Sequence, residues 1–372
     1  MTTSIQTLNR AIVVAFLSCA LTAGASSASV LAEASPNATP APLSEARPPP
    51  AATIVEPPAA MLPPIAHQIV GGEFDVIAEA RDSFTSLGSR FGESAAILAG
   101  DNDQQVTDRL HAGDTIHIDN RHIVPPEESD FIEVNLPQRM LFHFEEGKLS
   151  GAYPVAVGQP GKQWQTPIGS FTVIQMQENP SWSPPASIQR EGEEEGRHVG
   201  AIGPGPNNPL GKYWIGLSFP IVGIHGTNHP ATVYSDVTHG CVRLRPDNIE
   251  ALFNAVDLDD RGETVYLPLM LAQLDDGRIF LESEKDIYGR GTGGIGGVRA
   301  LAQAAGVDSL IDWNRAGKVV TDQDGIARDV TAASELAGGA PAGTIAATKV
   351  EGAVTVAIHA SRGLIAAAVP PH

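Results

Sequence analysis

Cysteine is nearly absent from this chain: its 372 residues include only Cys19 and Cys241. Exported proteins use cysteines in pairs because their compartment is oxidising, so a disulfide framework is excluded, and a leftover thiol marks either intermolecular pairing or a reactive group. Basic residues are scarce as well. Lys and Arg number 24 against 43 Asp and Glu, giving a net charge of −19. Neutralising phosphates needs a basic surface that this composition does not supply, which excludes a nucleic-acid partner. Long apolar runs are also missing: past the first thirty or so residues, no stretch approaches the ~20 residues of a membrane-spanning helix.

The start of the chain reads as a secretion signal over residues 1–34. Arg10 supplies the positive flank, Ala11 to Leu21 the apolar core, and Ala23-Gly24-Ala25 or Ser26-Ser27-Ala28 a small-residue cleavage site. Cys19 then leaves with the signal and Cys241 is the sole remaining thiol. A second reading takes Phe16-Leu17-Ser18-Cys19 as a lipoprotein box that lipidates Cys19. Residues 35–70 read as a linker. Ten prolines lie between Pro36 and Pro64 among alanine, threonine and glutamate, a composition that favours polyproline II and reaches up to roughly 90 Å at ~3.1 Å per residue.

Residues 71–125 predict a small βααβ unit. Phe74 to Val76 reads as a strand, Ser83 to Phe91 as a helix with Phe84, Leu87 and Phe91 on one face, Ser94 to Leu98 as a second helix, and Thr115 to Ile118 as a closing strand. Between 131 and 268 the pattern changes to short alternating segments separated by glycine and proline, among them Phe131 to Val134, Arg139 to Phe144, Ser170 to Ile174 and Thr264 to Leu267. That spacing predicts a mainly β domain with its chemistry on loops, and one helix from about Asp247 to Asn254. Residues 269–372 form a C-terminal extension, with a strand at Arg278 to Glu282, a helix around Val298 to Ala305 and an Ala/Gly-rich tail beyond Thr331.

The chemistry concentrates at Cys241. It lies in Thr238-His239-Gly240-Cys241-Val242-Arg243-Leu244, and His225 stands sixteen positions upstream in Ile224-His225-Gly226-Thr227. A thiol needs a base within hydrogen-bond reach to act as a thiolate near neutral pH, and histidines stand on both segments. Gly240 lets the backbone approach a reacting carbonyl closely, so that the amides of His239 to Cys241 could serve as an oxyanion hole. Arg243 suits a bidentate grip on a substrate carboxylate; a structural salt bridge is the duller alternative. Inert burial of Cys241 and a zinc site of His225, His229, His239 and Cys241 are the competing accounts of the cluster. The Glu191 to Glu195 run reads as a solvated loop able to overhang the site, and Trp164, Trp182 and Trp214 read as packing residues, one of them flanking the cleft.

Residues 131–268 resemble an L,D-transpeptidase catalytic domain of the YkuD type, in its Gram-negative envelope branch. The resemblance rests on Thr166 to Phe171, Gly203 to Gly211, and the His225 and Cys241 segments together. It implies a β-sandwich or barrel-like fold, Cys241 as nucleophile and His225 as base, with the Gly226 carbonyl orienting the ring. It also implies a pocket shaped by His239, Gly240 as part of the site, and Arg243, Thr227 and Thr238 against the substrate. No metal or cofactor is implied. The implied substrates are peptidoglycan stem peptides, with a neighbouring stem, an outer-membrane protein amine or water as acceptor; carbapenems are implied inhibitors, and the periplasm is the implied location. Residues 71–125 resemble a LysM module, which binds glycan. The matching positions are Phe74, Val76, Arg81 to Phe84, Phe91-Gly92, Leu110, Gly113 and Ile116; Ala80 and Asp101 to Asp103 depart from the pattern. The alternatives are a catalytically silent wall-binding protein, a hydrolase working through the same thioester, and a papain-like protease, whose sequence around its cysteine is not found here.

Overall fold

A computed structural model describes residues 64–126, 131–161 and 163–333. The secretion signal, most of the linker and the Ala/Gly-rich tail lie outside the described residues. The first elements are β1 (Gln68–Val70), β2 (Glu73–Ile77), α1 (Phe84–Phe91), α2 (Ala95–Asp101), β3 (Thr115–Asp119) and β4 (His122–Val124). Folding therefore begins inside the segment expected as linker: β1 pairs with β4, and Ala66 bridges Ala272, because the apolar residues after Pro64 find partners far along the chain.

The order β2-α1-α2-β3 is the expected βααβ, with β2 and β3 antiparallel. Its first helix starts where Ser83 and Ser86 exchange hydrogen bonds, each hydroxyl accepting the other's backbone N–H, and it ends at Gly92 in the left-handed region. Phe84 and Leu87 project from α1 onto Leu98, Ile116 and Ile118, making a small apolar core.

Next come β5 (Phe131–Asn135), β6 (Met140–Glu145), β7 (Lys148–Gly158), β8 (Gly169–Glu178), α3 (Ala186–Glu194), β9 (Tyr213–Leu217), β10 (Gly223–His225), β11 (Asp236–Thr238), β12 (Val242–Leu244), α4 (Pro246–Ala255) and β13 (Arg261–Val265). The strands form one sheet in the order β11-β7-β12-β10-β9-β8-β13-β5-β6, and a further pairing of β6 with β7 closes it into a barrel. β7 is long enough to serve several neighbours: Leu149 to Pro154 pair with β6, Val155 and Ala156 with β12, and Val157 and Gly158 with β11. Alternate positions of these strands, including Ile132, Val134, Leu141, Val173, Ile215, Ile224, Val242 and Leu244, fill the core together with Ile249 and Leu252 of α4. Each such side chain, fully buried, contributes about 1.5–3 kcal/mol.

The Glu191 to Glu195 run departs from its reading as a loop, since α3 carries it as far as Glu194. Gln, Arg and Glu are good helix formers, and the helix begins directly after Pro184 and Pro185, where proline's fixed φ is compatible with a first turn.

The C-terminal extension is a folded unit up to Thr331. β14 (Leu269–Gln273), β15 (Ile279–Ser283) and β16 (Arg328–Asp329) form an antiparallel sheet. α5 (Gly294–Ala305) and α6 (Trp313–Asp322) close its apolar face through Val298, Leu301, Ala316 and Val319 against Leu269, Leu271, Ile279 and Leu281.

A buried polar knot ties the three parts together. His122 of β4 turns Nδ1 to Glu282 Oε1 at 2.8 Å and Nε2 to the Gly92 carbonyl at 2.7 Å. The Glu282 carboxylate also accepts the Ile123 N–H at 2.5 Å and the Gln138 amide at 2.9 Å, while Arg139 reaches Glu284 at 3.3 Å. Both imidazole nitrogens face acceptors, an arrangement that suits a doubly protonated His122. Burial pulls its pKa down, but the charge and hydrogen bond of Glu282, with the Glu284 charge and the Gly92 carbonyl, together leave it raised.

Candidate active site

Parallel pairing of β10 with β12 sets Ile224 opposite Val242 and His225 opposite Arg243. Side chains alternate along a strand, so Ile224 and Val242 enter the core while His225, Arg243 and Cys241, two positions before Arg243, share the opposite face. Antiparallel β9 adds Trp214 directly across from His225, and the two rings stack with centroids 6.0 Å apart. Sequence spacing alone could not supply this common face, which depends on the pairing register.

His225 is 5% exposed and its Nδ1 donates to the Gly226 carbonyl at 2.6 Å, the contact expected of that carbonyl. This fixes the tautomer and leaves Nε2 as the lone pair. Burial, aided by the positive charge of Arg243 and opposed by the Gly226 bond, drives the imidazole pKa down to about 3. Gly226 is wedged in place: a Cβ there would meet Ile249 Cγ2 at 3.1 Å and the Leu210 carbonyl at 3.2 Å.

Cys241 is half-buried and free, and its Sγ lies 3.8 Å from the Ile221 carbonyl. Among the described residues no hydrogen bond joins it to His225. Burial raises the thiol pKa, against the opposing pull of the Gly223 backbone and Arg243. Burial thus favours the uncharged form of each group, the thiol by a raised pKa and the imidazole by a lowered one. A thiolate and an imidazolium in such a site stabilise one another only when both charges are present together.

Gly240 takes φ +107°, a region open to glycine, and the nearest approaches to a Cβ there would be the carbonyls of Gln165 at 3.5 Å and Trp164 at 3.7 Å. The turn is held by Thr238, whose hydroxyl donates to the Cys241 carbonyl at 2.6 Å and accepts the Gly240 N–H at 3.2 Å. Thr227 accepts the His229 N–H at 2.9 Å. Thr238 and Thr227, expected against the substrate, are 2% and 4% exposed, and their hydroxyls hydrogen-bond within the loops.

Arg243 donates to Thr232 Oγ1 at 2.9 Å and keeps its Nε buried without a partner. Among the described residues it forms no salt bridge, so the structural-pair alternative lacks an acidic partner. The zinc alternative also fails on geometry: the described group of side chains close enough to converge on an ion is His122, Glu282 and Glu284, and it does not include His225, His229, His239 or Cys241.

Three further contributors carry little local signal in the sequence. Tyr288, from the C-terminal unit, donates to the Gly158 carbonyl at 2.7 Å and accepts the Thr166 N–H at 3.1 Å, bracing the segment behind Gly240. Asn208, fully buried in the glycine-proline motif, donates to the carbonyls of Pro180 and Gly203 at 2.7 and 3.1 Å. Glu191 of α3 places both carboxylate oxygens 3.1 Å from His239 Nε2, and Trp164 meets the same ring edge-on at a centroid distance of 5.4 Å. Of the three tryptophans, Trp164 and Trp214 each flank one histidine, whereas Trp182 is part of an isolated bridge with Ile202.

Comparison with known proteins bears on the same region. The family model YkuD, described as the L,D-transpeptidase catalytic domain, matches residues 129–267. The probable L,D-transpeptidase ErfK/SrfK of Salmonella typhimurium is 29% identical over 226 residues, which cover 59% of this chain and 72% of that protein. YqjB of Bacillus subtilis, also named for an L,D-transpeptidase, is 32% identical over 136 residues, covering 35% of this chain and 68% of its own length. The crystal structure of L,D-transpeptidase 3 from Mycobacterium tuberculosis aligns with a TM-score of 0.30 at 14% identity, over 54% of this chain and 96% of that one.

Proposed function

Because this chain belongs to the YkuD family of L,D-transpeptidases, we propose that it is an exported enzyme that remodels peptidoglycan through a Cys241 thioester. The observation that carries the reading is the common face holding Cys241, His225 and Arg243, with the imidazole anchored on Gly226 so that Nε2 is the basic nitrogen.

The thiol proton passes to His225 Nε2 as Sγ attacks the carbonyl of the third-position diamino acid in a tetrapeptide stem. The backbone amide of Cys241 receives the developing oxyanion, while the Gly240 N–H is held by Thr238. Collapse breaks the C–N bond, and the proton held by His225 goes to the departing D-alanine amine, leaving a thioester. An acceptor amine then bonds to that carbonyl carbon and displaces sulfur. A neighbouring stem as acceptor yields a 3→3 cross-link, and a protein amine yields a wall anchor. Arg243, free of acidic partners, grips a stem carboxylate. The βααβ unit of residues 71–125 holds the glycan, and the apolar N-terminus directs the chain to the periplasm. The site needs no cofactor for this acyl transfer, and a carbapenem, with its strained amide, acylates the same sulfur.

The test is mass spectrometry of the products when the mature protein and Cys241→Ala are each given disaccharide tetrapeptide. D-Alanine release that requires Cys241, with dimer as the accompanying product, supports the transpeptidase. Tripeptide alone would make the enzyme a hydrolase, and equal processing by both proteins would refute the thioester.

A further inference from the structure

The excursion between β8 and β9 is a built structure. Its base is closed by the Asn179 N–H on the Lys212 carbonyl at 2.7 Å, by the Trp182–Ile202 bridge and by Asn208. Above that base stands α3, fixed by Gln189 on the Pro184 carbonyl at 2.9 Å and by the Arg197 N–H on the Gly192 carbonyl at 2.6 Å. Gly192 packs so closely that a Cβ would come within 2.5 Å of Val199 Cγ2. The helix thereby delivers Glu191, whose carboxylate makes its hydrogen bonds among the described residues to a single group, Nε2 of His239.

The two histidines of the site are thus anchored differently. His225 has Nδ1 on a neutral carbonyl and keeps Nε2 as the basic nitrogen of a buried ring. His239 has Nε2 on a carboxylate and leaves Nδ1 with no hydrogen bond among the described residues, and its side chain is 24% exposed against 5% for His225 as a residue. A carboxylate partner fixes the proton on Nε2, makes Nδ1 the basic nitrogen and is the counter-charge for a second proton there.

Resting on the transpeptidase reading above, we propose that Glu191 is a positioning residue that dedicates His239 to the acceptor half of the reaction. The acceptor nitrogen, arriving as a neutral amine, bonds to the thioester carbon while its proton passes to His239 Nδ1. The C–S bond breaks, sulfur leaves as thiolate, and the proton returns from His239 to sulfur as the site resets. His225 serves the donor half, and α3 contributes to the enzyme by aiming a ring that belongs to another loop.

The test compares wild type, Glu191→Gln and Glu191→Asp in the full mature chain. Two measurements are made: the imidazole ¹⁵N spectrum of His239, and the single-turnover rates of acyl-enzyme formation from tetrapeptide and of its aminolysis by an added stem-peptide amine. The expected result is an Nε2–H tautomer in the wild type that becomes mixed in Glu191→Gln. Aminolysis should fall roughly tenfold further than acylation, with partial recovery in Glu191→Asp. An unchanged His239 spectrum, or equal losses in the two steps, would overturn the proposal even if the protein folds normally. Failure of the wild type to acquire acyl mass on Cys241 would instead sink the transpeptidase reading, while the spectrum would still decide whether Glu191 sets the ring.

Discussion

Glu282→Gln is the most informative stability test. Its carboxylate accepts from His122, Ile123 and Gln138 and is 1% exposed, so the substitution removes the counter-charge of a buried imidazolium in one step. Breaking a buried pair by removing one partner costs about 3–5 kcal/mol. At ~2–4 °C per kcal/mol for a domain of this size, Tm should fall by at least ~6 °C. The pH dependence gives a second signature. In the wild type the folded pKa of His122 lies above its ordinary value of 6.5, so its stabilisation is present below pH 6.5 and is lost as pH rises through the folded value. Burial also raises Glu284 above its ordinary 4.5, which likewise favours the folded state at lower pH. With glutamine at 282, burial dominates His122 and the sign reverses: a neutral buried ring loses stability as pH falls below 6.5. The groups facing this ring and its partners include Glu282, Glu284, Glu93, Arg139 and Tyr234, and only the first changes. Calorimetric scans of the two proteins from about pH 8 to 5 should diverge as pH falls. A gap that stays flat with pH, or a loss of under ~2 °C, would refute the assignment of a charged His122.

Gly240→Ala should abolish D-alanine release while leaving far-UV circular dichroism intact. The nearest atoms leave room for a Cβ, so the penalty of about 1–3 kcal/mol is conformational and falls on the turn that presents the sulfur; retained activity would count against a strict need for φ +107°. The pH profile of iodoacetamide alkylation should place the Cys241 midpoint above that of an ordinary thiol, and Arg243→Met should push it higher, since the guanidinium favours the thiolate; a midpoint that drops would contradict this. Tyr288→Phe removes a donor and an acceptor behind Gly240 and should cost about 1–3 kcal/mol in denaturant titration, with a matching fall in turnover. Wild-type stability and turnover would show that this brace is dispensable.

The site was legible in the sequence where chemistry is local. Cys241, the glycine beside it and His225 with the Gly226 carbonyl are adjacent along the chain, and residue type alone restricts what each can do. For Thr227 and Thr238 a hydroxyl in a motif suits a substrate and a tight turn equally well, and residue type alone does not separate the two uses. Glu191 was hidden by polarity: a run of glutamates suggests solvent, yet its residues favour helix, and Gly192 against Val199 turns one carboxylate inward. The His122–Glu282 and Tyr288–Gly158 contacts join positions more than a hundred residues apart, and no local pattern announces such pairings. For the fold, alternation in Phe131 to Val134 and Thr264 to Leu267 was enough for strands, whereas barrel closure through β7 depends on register. Residues 35–70 were read as a linker, with no sign that Ala66 would be taken up by a sheet formed two hundred residues later.

The Ala66 clasp has a mechanical consequence. Its N–H donates to the Leu271 carbonyl and its carbonyl accepts from the Gln273 N–H, both at 2.9 Å, before the chain continues into β1 against β4. Tension applied upstream of Pro64, as by a tether to an anchor, would load these two bonds and the C-terminal sheet behind them first. The barrel carrying Cys241 lies further along the load path, shielded as a bollard shields a boat from the pull on its line. A chain cut after Gln273 would lose the partner strands of that sheet, so the same pull would pass to β1, β4 and then to the site.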